Sequence, residues 1–308
     1  KQLAAGSFRR GGAAVLDDAV TLAREVEAGA PGPIAAIGVG VPELVDPVGR
    51  ITSAQTIEWR DLPLRERLGQ IAPATIEADV RAAALAEARL GAGRPFADFA
   101  YISIGTGISS TLVIAGRPYA GARGGALVLA TGPLTVPCPR CGALTSFVLE
   151  DDASGRAIAA RFAAARGAPV SGAEAVLAAA TSGDEAAQAI VDRAAETLGS
   201  AIGWLVNVAD PATVVVGGGL GSAAGPFWDR LAAATRRHIW SEGARIADRA
   251  SRTRPRRRLD RRGADRAGAR RTPIVGDASA HRRSRAINDR CCPGVIPKAA
   301  VNWRVKCA

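Results

Sequence analysis

The stretch FAYISIGTGISSTLVIAGRPY, residues 99 to 119, decides how this chain is read. Two apolar, β-branched runs flank Gly105-Thr106-Gly107, and a second turn follows at Gly116. The pattern predicts strand, glycine turn, strand, turn. A Gly-Thr-Gly turn between strands presents backbone N–H groups and a hydroxyl with no side chain in the way, so it can surround phosphate oxygens. The same turn is also a common hairpin connection, and its spacing leaves both readings open.

Working outward, TVVVGGGLG (213–221) reads as a buried strand that runs into a glycine-rich turn, with a helix behind it over 226–240. Glycines at the carboxyl edge of an α/β sheet are where a nucleotide can approach the backbone closely. The run lacks both the G-x-G-x-x-G spacing and the P-loop lysine. From Ser154 the pattern is helical, through SGRAIAARFAAARG and SGAEAVLAAA to a long run from about Asp184 to Ala209. On the other side, AAVLDDAVTLAREVEA (13–28) is an amphipathic helix. IAAIGVGV (34–41) is a buried strand closed by Pro42, and a short helix falls at 63–68. ATIEAD (74–79) is a strand ending in a carboxylate, followed by an Ala-rich helix capped by Gly91 or Gly93. Strands alternating with helices argue an α/β fold.

The bulk numbers bound the rest. The chain has 308 residues, enough for two modest domains. It has no Met, and so reads as a fragment or a processed chain. No long apolar stretch suggests a membrane span, and five Cys without framework spacing suggest a reducing, cytoplasmic setting. The net charge of +11 is unevenly placed. Residues 245–308 hold 19 Lys or Arg against 5 Asp or Glu, whereas residues 1–244 hold 21 against 24. The body is therefore mildly acidic, with no special pull toward nucleic acid or membrane. After Arg245 neither periodicity persists. Two readings stand for 246–308: a non-native segment of the kind a GC-rich gene gives out of frame, and an Arg-rich tail that binds nucleic acid.

Asp79 is the residue with the sharpest chemistry. It lies where a strand ends and a helix begins, so it can serve as an N-cap, or as a general base held on rigid elements. Cys138-Pro139-Arg140-Cys141-Gly142 forms a metal-gripping type of knuckle, but zinc takes four ligands and no third Cys or His is near.

Taken together, IGVGVPELVDPVGRI, IEADVRAAALAEARLGAG, ISIGTGISSTLVIAGRPYAGARG, the CPRCG…LEDDASG run and VVVGGGLG occur in the order seen in the ROK family. The chain resembles that family, which comprises bacterial glucokinase-like sugar kinases and sugar-responsive repressors, over about residues 30–243. The resemblance implies an actin-like ATPase (hexokinase-type, RNase H-like) fold of two domains around a cleft. It places those domains at 1–98 and 99–245, with an incomplete N-terminal domain that lacks its phosphate-binding hairpin, and an Arg-rich tail at 246–308. It implies ATP and Mg²⁺ as cofactors, a sugar substrate, and a homo-oligomer.

On the same resemblance Asp79 matches the catalytic aspartate, which takes the proton from a sugar hydroxyl as that oxygen attacks the γ-phosphoryl of ATP. Gly105, Thr106 and Gly107 match a phosphate loop, and Gly217, Gly218 and Gly219 the adenosine-side turn. Glu150 and Gln55 match sugar-contacting positions, although Gln55 stands where the family usually has Asn. Other departures are plain. Glu77-Ala78-Asp79 replaces Glu-Asn-Asp, and Val128-Leu129-Ala130-Thr131 replaces Glu-x-Gly-His. Thr131 thus stands in for the zinc-ligand His, and Cys138 and Cys141 are left as a former zinc loop or a weak site completed by water. Lost hydrogen-bonding groups change sugar specificity steeply. Two functions follow: an ATP-dependent sugar kinase, or the non-catalytic sugar-sensing domain of a transcriptional regulator.

Overall fold

The computed structural model describes residues 11–138, 140–223, 225–240 and 245–246. The chain divides into two units. The first takes in the described residues up to Thr135 and from Ser146 onward. The second is described only within Val136–Thr145.

The first unit opens with α1 (Gly12–Ala28), which packs Val15, Leu16 and Val20 against a small parallel sheet. That sheet consists of β1 (Ile37–Val41) and β2 (Ala74–Ala78), paired from Ile37↔Ala74 to Val41↔Ala78. Between them, α2 (Leu64–Gly69) buries Leu64 and Leu68 in the same core, together with Ile57 and Trp59. The expectation of a buried strand over 34–41 is corrected here. Only 37–41 is a strand, and it alternates half-buried and exposed before ending at buried Val41. Its glycines at 38 and 40 face away from the core, so only one face is apolar.

The second sheet is mixed, with strand order β5-β4-β3-β8-β9. Strands β3 (Phe99–Ile104) and β4 (Ile108–Ile114) form the hairpin predicted around Gly105–Gly107, and β5 (Arg117–Pro118) continues it. Strand β8 (Thr213–Gly217) pairs in parallel with β3 and is buried along its whole length. The period of two explains both faces. Ala100, Ile102, Ile104, Val214 and Val216 face the large helical core, whereas Phe99, Tyr101, Val113 and Val215 face α3 (Asp79–Leu90) through Ala84. Each fully buried Phe or Ile of this kind contributes about 1.5–3 kcal/mol. Helix α3 touches both sheets, so its first residue, Asp79, is held by two cores at once.

The helical layer comprises α4 (Leu149–Ala153), α5 (Gly155–Arg166), α6 (Ala173–Thr181), α7 (Glu185–Ala209) and α9 (Pro226–His238). Two caps are visible in the sequence and operate here: Ser154 Oγ accepts from the Ala157 N–H at 3.2 Å, and Asp184 Oδ1 from the Ala187 N–H at 3.0 Å. Asp152, 4% exposed, ties three helices together. It accepts from Arg193 Nη2 at 2.8 Å and Thr197 Oγ1 at 2.9 Å, and pairs with Arg161. Burial pushes its carboxyl up, but the Arg193 and Thr197 hydrogen bonds and the two guanidinium charges win and hold it below the ordinary carboxylate value.

Two further corrections concern local structure. The glycines after β8 are not an open turn but a single helical turn, α8 (Gly218–Gly221). Asp79 is not the N-cap of α3. Ala78 holds that position and Asp79 is the first helical residue, its Oδ1 accepting from the Val80 N–H at 2.6 Å. A two-residue strand, β9 (Arg245–Ile246), pairs in parallel with Thr213 and Val214. The remainder of the Arg-rich tail lies outside the described residues, as do Cys291, Cys292 and Cys307.

In the second unit the knuckle is the tip of a hairpin. Its strands are β6 (Leu134–Pro137) and β7 (Leu144–Phe147), both largely exposed. The Cys138 N–H donates to the Ala143 carbonyl and the Gly142 N–H to the Cys138 carbonyl, each at 2.8 Å. Gly142 takes a positive φ of 71°, which closes the turn.

Candidate active site

The adjacent strands β1 and β2 end together, and their carboxyl edge carries two acids. Asp79 follows β2 directly, and Glu43 lies two residues past Val41, the partner of Ala78. Glu43 is 3% exposed. Its Oε2 accepts from the Gln55 N–H at 2.9 Å and from Ser53 Oγ. Its Oε1 accepts from the N–H groups of Thr56 at 2.6 Å and Ile57 at 2.8 Å. Burial pushes this carboxyl up; the Ser53 bond and the backbone donors of Ile57, Gln55 and Thr56 outweigh it and leave it lowered.

Asp79 shifts the other way. Burial among surrounding protein atoms is the main push upward, the Val80 N–H pulls it down, and the negative charge of Glu43 adds to the rise. The side chain stays accessible at the surface, so solvent tempers the rise. An accessible carboxylate with a raised pKa on a rigid helix start is suited to accept a proton.

Buried Arg81, two residues along α3 from Asp79, locks this edge. Its guanidinium bonds Glu77 Oε1, the Val45 carbonyl and the Gly124 carbonyl at 2.5–3.1 Å. The segment after β1 is turned by Asp46, whose Oδ1 accepts from the N–H groups of Val48 at 3.0 Å and Arg50 at 2.8 Å. An isolated bridge joins Val45 to Ile51.

The glycine turns form the other half of the region. Thr106 is exposed, and nothing would obstruct a side chain at Gly105, so the backbone is open there. The turn is nevertheless braced: the Gly155 N–H donates to the Gly105 carbonyl at 2.8 Å, and the Arg156 N–H to the Thr106 carbonyl at 3.3 Å. Glu150 belongs to this brace. Its Oε2 accepts from the Ile108 N–H at 2.9 Å, its Oε1 meets Arg156 at 3.3 Å, and it fills the space a side chain on Gly107 would need. These partners place Glu150 on the Gly105–Gly107 turn, whereas Gln55 is held by Glu43.

The three glycines at the end of β8 and the start of α8 differ among themselves. A side chain on Gly217 would strike the Tyr101 hydroxyl, and one on Gly218, at φ 83°, would strike the Ile104 carbonyl. Gly219 alone is open, with Glu174 Oε1 at 4.0 Å from the nearest point a side chain would occupy. Two of the glycines thus serve packing, and one leaves backbone exposed. Tyr101 connects the two halves. Burial raises its phenol, with the charges of Glu87 and Asp79 adding and a hydrogen bond with Ser103 opposing, so it stays neutral beside Asp79.

Structural zinc fits poorly. Among the described residues no group of three or more His, Cys, Asp or Glu could hold an ion. Cys138 and Cys141 supply two donors of the four that structural zinc takes.

Sequence reasoning missed Glu43, Arg81 and Tyr101. A charged residue inside an apolar turn, PEL, was the signal available for Glu43. Arg81 at four residues from Glu77 was the signal for the second.

The sequence profile of the ROK family matches residues 13–264. The chain is 37% identical over 185 residues to a bifunctional enzyme NanE/NanK of Brucella melitensis, covering 58% of this chain and 33% of that protein. It is 33% identical over 211 residues to a glucokinase of Halalkalibacterium halodurans, covering 61% and 62%. A putative xylose repressor of Caldicellulosiruptor is 30% identical over 146 residues, covering 44% and 35%. The matched region is therefore less than two thirds of the length of each of these relatives. Among solved structures, a ROK hexokinase from Thermus thermophilus aligns with a TM-score of 0.65 and 31% identity, over 80% of this chain and 83% of that one. A ROK family glucokinase from Streptomyces griseus, solved with glucose and AMPPNP, aligns at 0.62 and 26%, over 76% and 83%.

Proposed function

The chain belongs to the ROK family and has its actin-like ATPase fold, and from that premise we propose that it is a sugar kinase that moves the γ-phosphoryl group of ATP to a sugar hydroxyl, with Asp79 as base. One observation carries the reading. Asp79 combines solvent access, a rigid position on α3 and a raised pKa, at the carboxyl edge where an α/β fold presents its ligands. Relatives bearing kinase names, and a neighbour solved with glucose and an ATP analogue, support the substrate class.

In this reading the boundary between the two lobes falls at residues 98–99. Gly105–Gly107 and Gly219 give the backbone that phosphate and adenosine approach, because a Cβ meets nothing at Gly105 and only a distant carboxylate at Gly219. ATP supplies the phosphoryl group. Asp79 accepts the hydroxyl proton as the oxygen attacks, while Gln55 holds the sugar and Glu150 stiffens the phosphate turn. Magnesium, when bound with ATP, would neutralise charge on the phosphates.

The test is a panel of hexoses, starting with glucose, incubated with the full chain and Mg-ATP. ADP should form with at least one sugar, and Asp79→Asn should abolish it. Turnover that survives Asn at 79, or no turnover with any sugar, sinks the kinase reading. The repressor relative favours one alternative, a sugar-sensing domain of a regulator. Sugar binding without turnover would point there.

A further inference from the structure

We propose that Glu43 is a positioning residue, whose buried carboxylate templates the 53–57 segment, and with it Gln55, beside the strand edge that carries Asp79. The inference rests on the kinase reading for what the segment touches, but the templating stands on geometry alone.

The carboxylate has about four lone-pair sites, and the segment supplies four donors: the Ser53 hydroxyl and the N–H groups of Gln55, Thr56 and Ile57. Glu43 therefore has no free acceptor for a ligand, and acts through the residues it holds. A neutral amide could not do the same, since a Gln side chain at this place offers one acceptor oxygen and two donors that would face backbone N–H groups. A buried charge is costly unless its hydrogen bonds are complete. All four donors here are neutral groups, so the negative charge is solvated by the segment without being neutralised.

Two further contacts set the register of the segment. Ser53 Oγ accepts from the Leu44 N–H at 2.9 Å while donating to Glu43, and the Thr52 N–H donates to the Leu44 carbonyl at 2.8 Å. The segment is thus zipped to the residue after Glu43 and folded over its carboxylate. Beyond it, Ile57 and Trp59 anchor in the first core. Residues 54–56 are left as an accessible or half-accessible arch with Gln55 exposed at its crest.

The second consequence is electrostatic. Burial raises the Asp79 carboxyl most, the charge of Glu43 adds to that rise, and the Val80 N–H on its own helix opposes both; the phenol of Tyr101 on β3 stays neutral. Glu43 is the charged member of that set. Removing its charge should make Asp79 easier to ionise and hence a weaker base.

The test uses the full chain, as Glu43→Gln and, because that variant leaves backbone donors facing an amide and can fail to fold, also as Ser53→Ala. Amide hydrogen exchange reads the templating directly. In Glu43→Gln the N–H groups of 55–57 should exchange at least about tenfold faster, while those of β3 and β8 keep their protection. Ser53→Ala should give the same pattern in weaker form. With a phosphorylated sugar in hand, KM for the sugar should rise about tenfold and KM for ATP should change less than twofold. The acid limb of kcat/KM should move to lower pH. Unchanged exchange at 55–57 in both variants overturns the proposal, as does an equal rise in both KM values with protection lost throughout. If no sugar is turned over, the kinase reading fails and the exchange result still decides the templating.

Discussion

The two sheets share a sequence grammar and divide the labour differently. IGVGV in β1 and TVVVG in β8 are both short apolar runs with glycine, yet β1 is half exposed and β8 wholly buried. Strand β8 has neighbours on both sides and cores on both faces, whereas β1 pairs with β2 alone among the described residues. At the edge of the first sheet Asp79 and Gln55 reach solvent, while Glu43 is buried. At the second sheet a side chain has no room at Gly217 or Gly218, and backbone is open at Gly105 and Gly219. The lesson is that the first sheet contributes acid–base groups and the second contributes surfaces shaped by missing side chains.

The largest expected effect attacks the first half. Asp79→Asn should lower kcat by about 10³-fold, about 4 kcal/mol of barrier, with stability unchanged or slightly raised. The sign follows from the raised pKa: the folded state holds the ionised carboxylate less well than the unfolded chain does, so an uncharged isostere relieves that cost at neutral pH. For the same reason the wild-type kcat/KM should fall on acidification at a higher pH than an unperturbed aspartate would give, read from a pH–rate profile. If Asp79→Asn melted earlier than the glycine variant below, the division of labour between the sheets would be wrong.

The next effect attacks the second half. Gly218→Ala forces a Cβ into the Ile104 carbonyl at a positive φ, and should cost about 3 kcal/mol in urea unfolding. Gly219→Ala, helical and facing open space, should leave stability unchanged or raise it by up to about 1 kcal/mol, and weaken ATP binding instead. Equal losses of stability in the two would show that Gly219 is also a packing glycine.

Smaller effects fall on the helical layer. Asp152→Asn should destabilise by about 2 kcal/mol at pH 7, discounted from a fully buried pair because Arg193 and Arg161 are partly exposed. Its lowered pKa means that this stability is present above the unfolded-state value and is lost as pH falls through the folded one. The variant and wild type should therefore converge in acid melts. Smallest is Ser154→Ala, which removes the cap of α5 and should cost about 1 kcal/mol.

Much of the fold was legible because its signals are local. The period of two in FAYISI, the period of 3.6 in 13–28 and 185–209, and Asp79 at a strand-to-helix junction can each be read within a dozen residues. The knuckle strands were not legible, since their residues are mostly exposed and carry no burial pattern. Nor was the difference among Gly217, Gly218 and Gly219, which depends on Tyr101 and Ile104 more than a hundred residues away.

By itself the sequence determined the element types, the hairpin at Gly105–Gly107, the place of Asp79 and the membership of a family. Tertiary structure alone decided that Glu43 is a buried template, that Glu150 braces a turn, and that Asp79 has a raised pKa. The physical reason is range. Propensity and periodicity act between near neighbours along the chain. Burial, charge coupling and hydrogen bonding to a carboxylate depend on which distant segments the packed cores bring to the same edge.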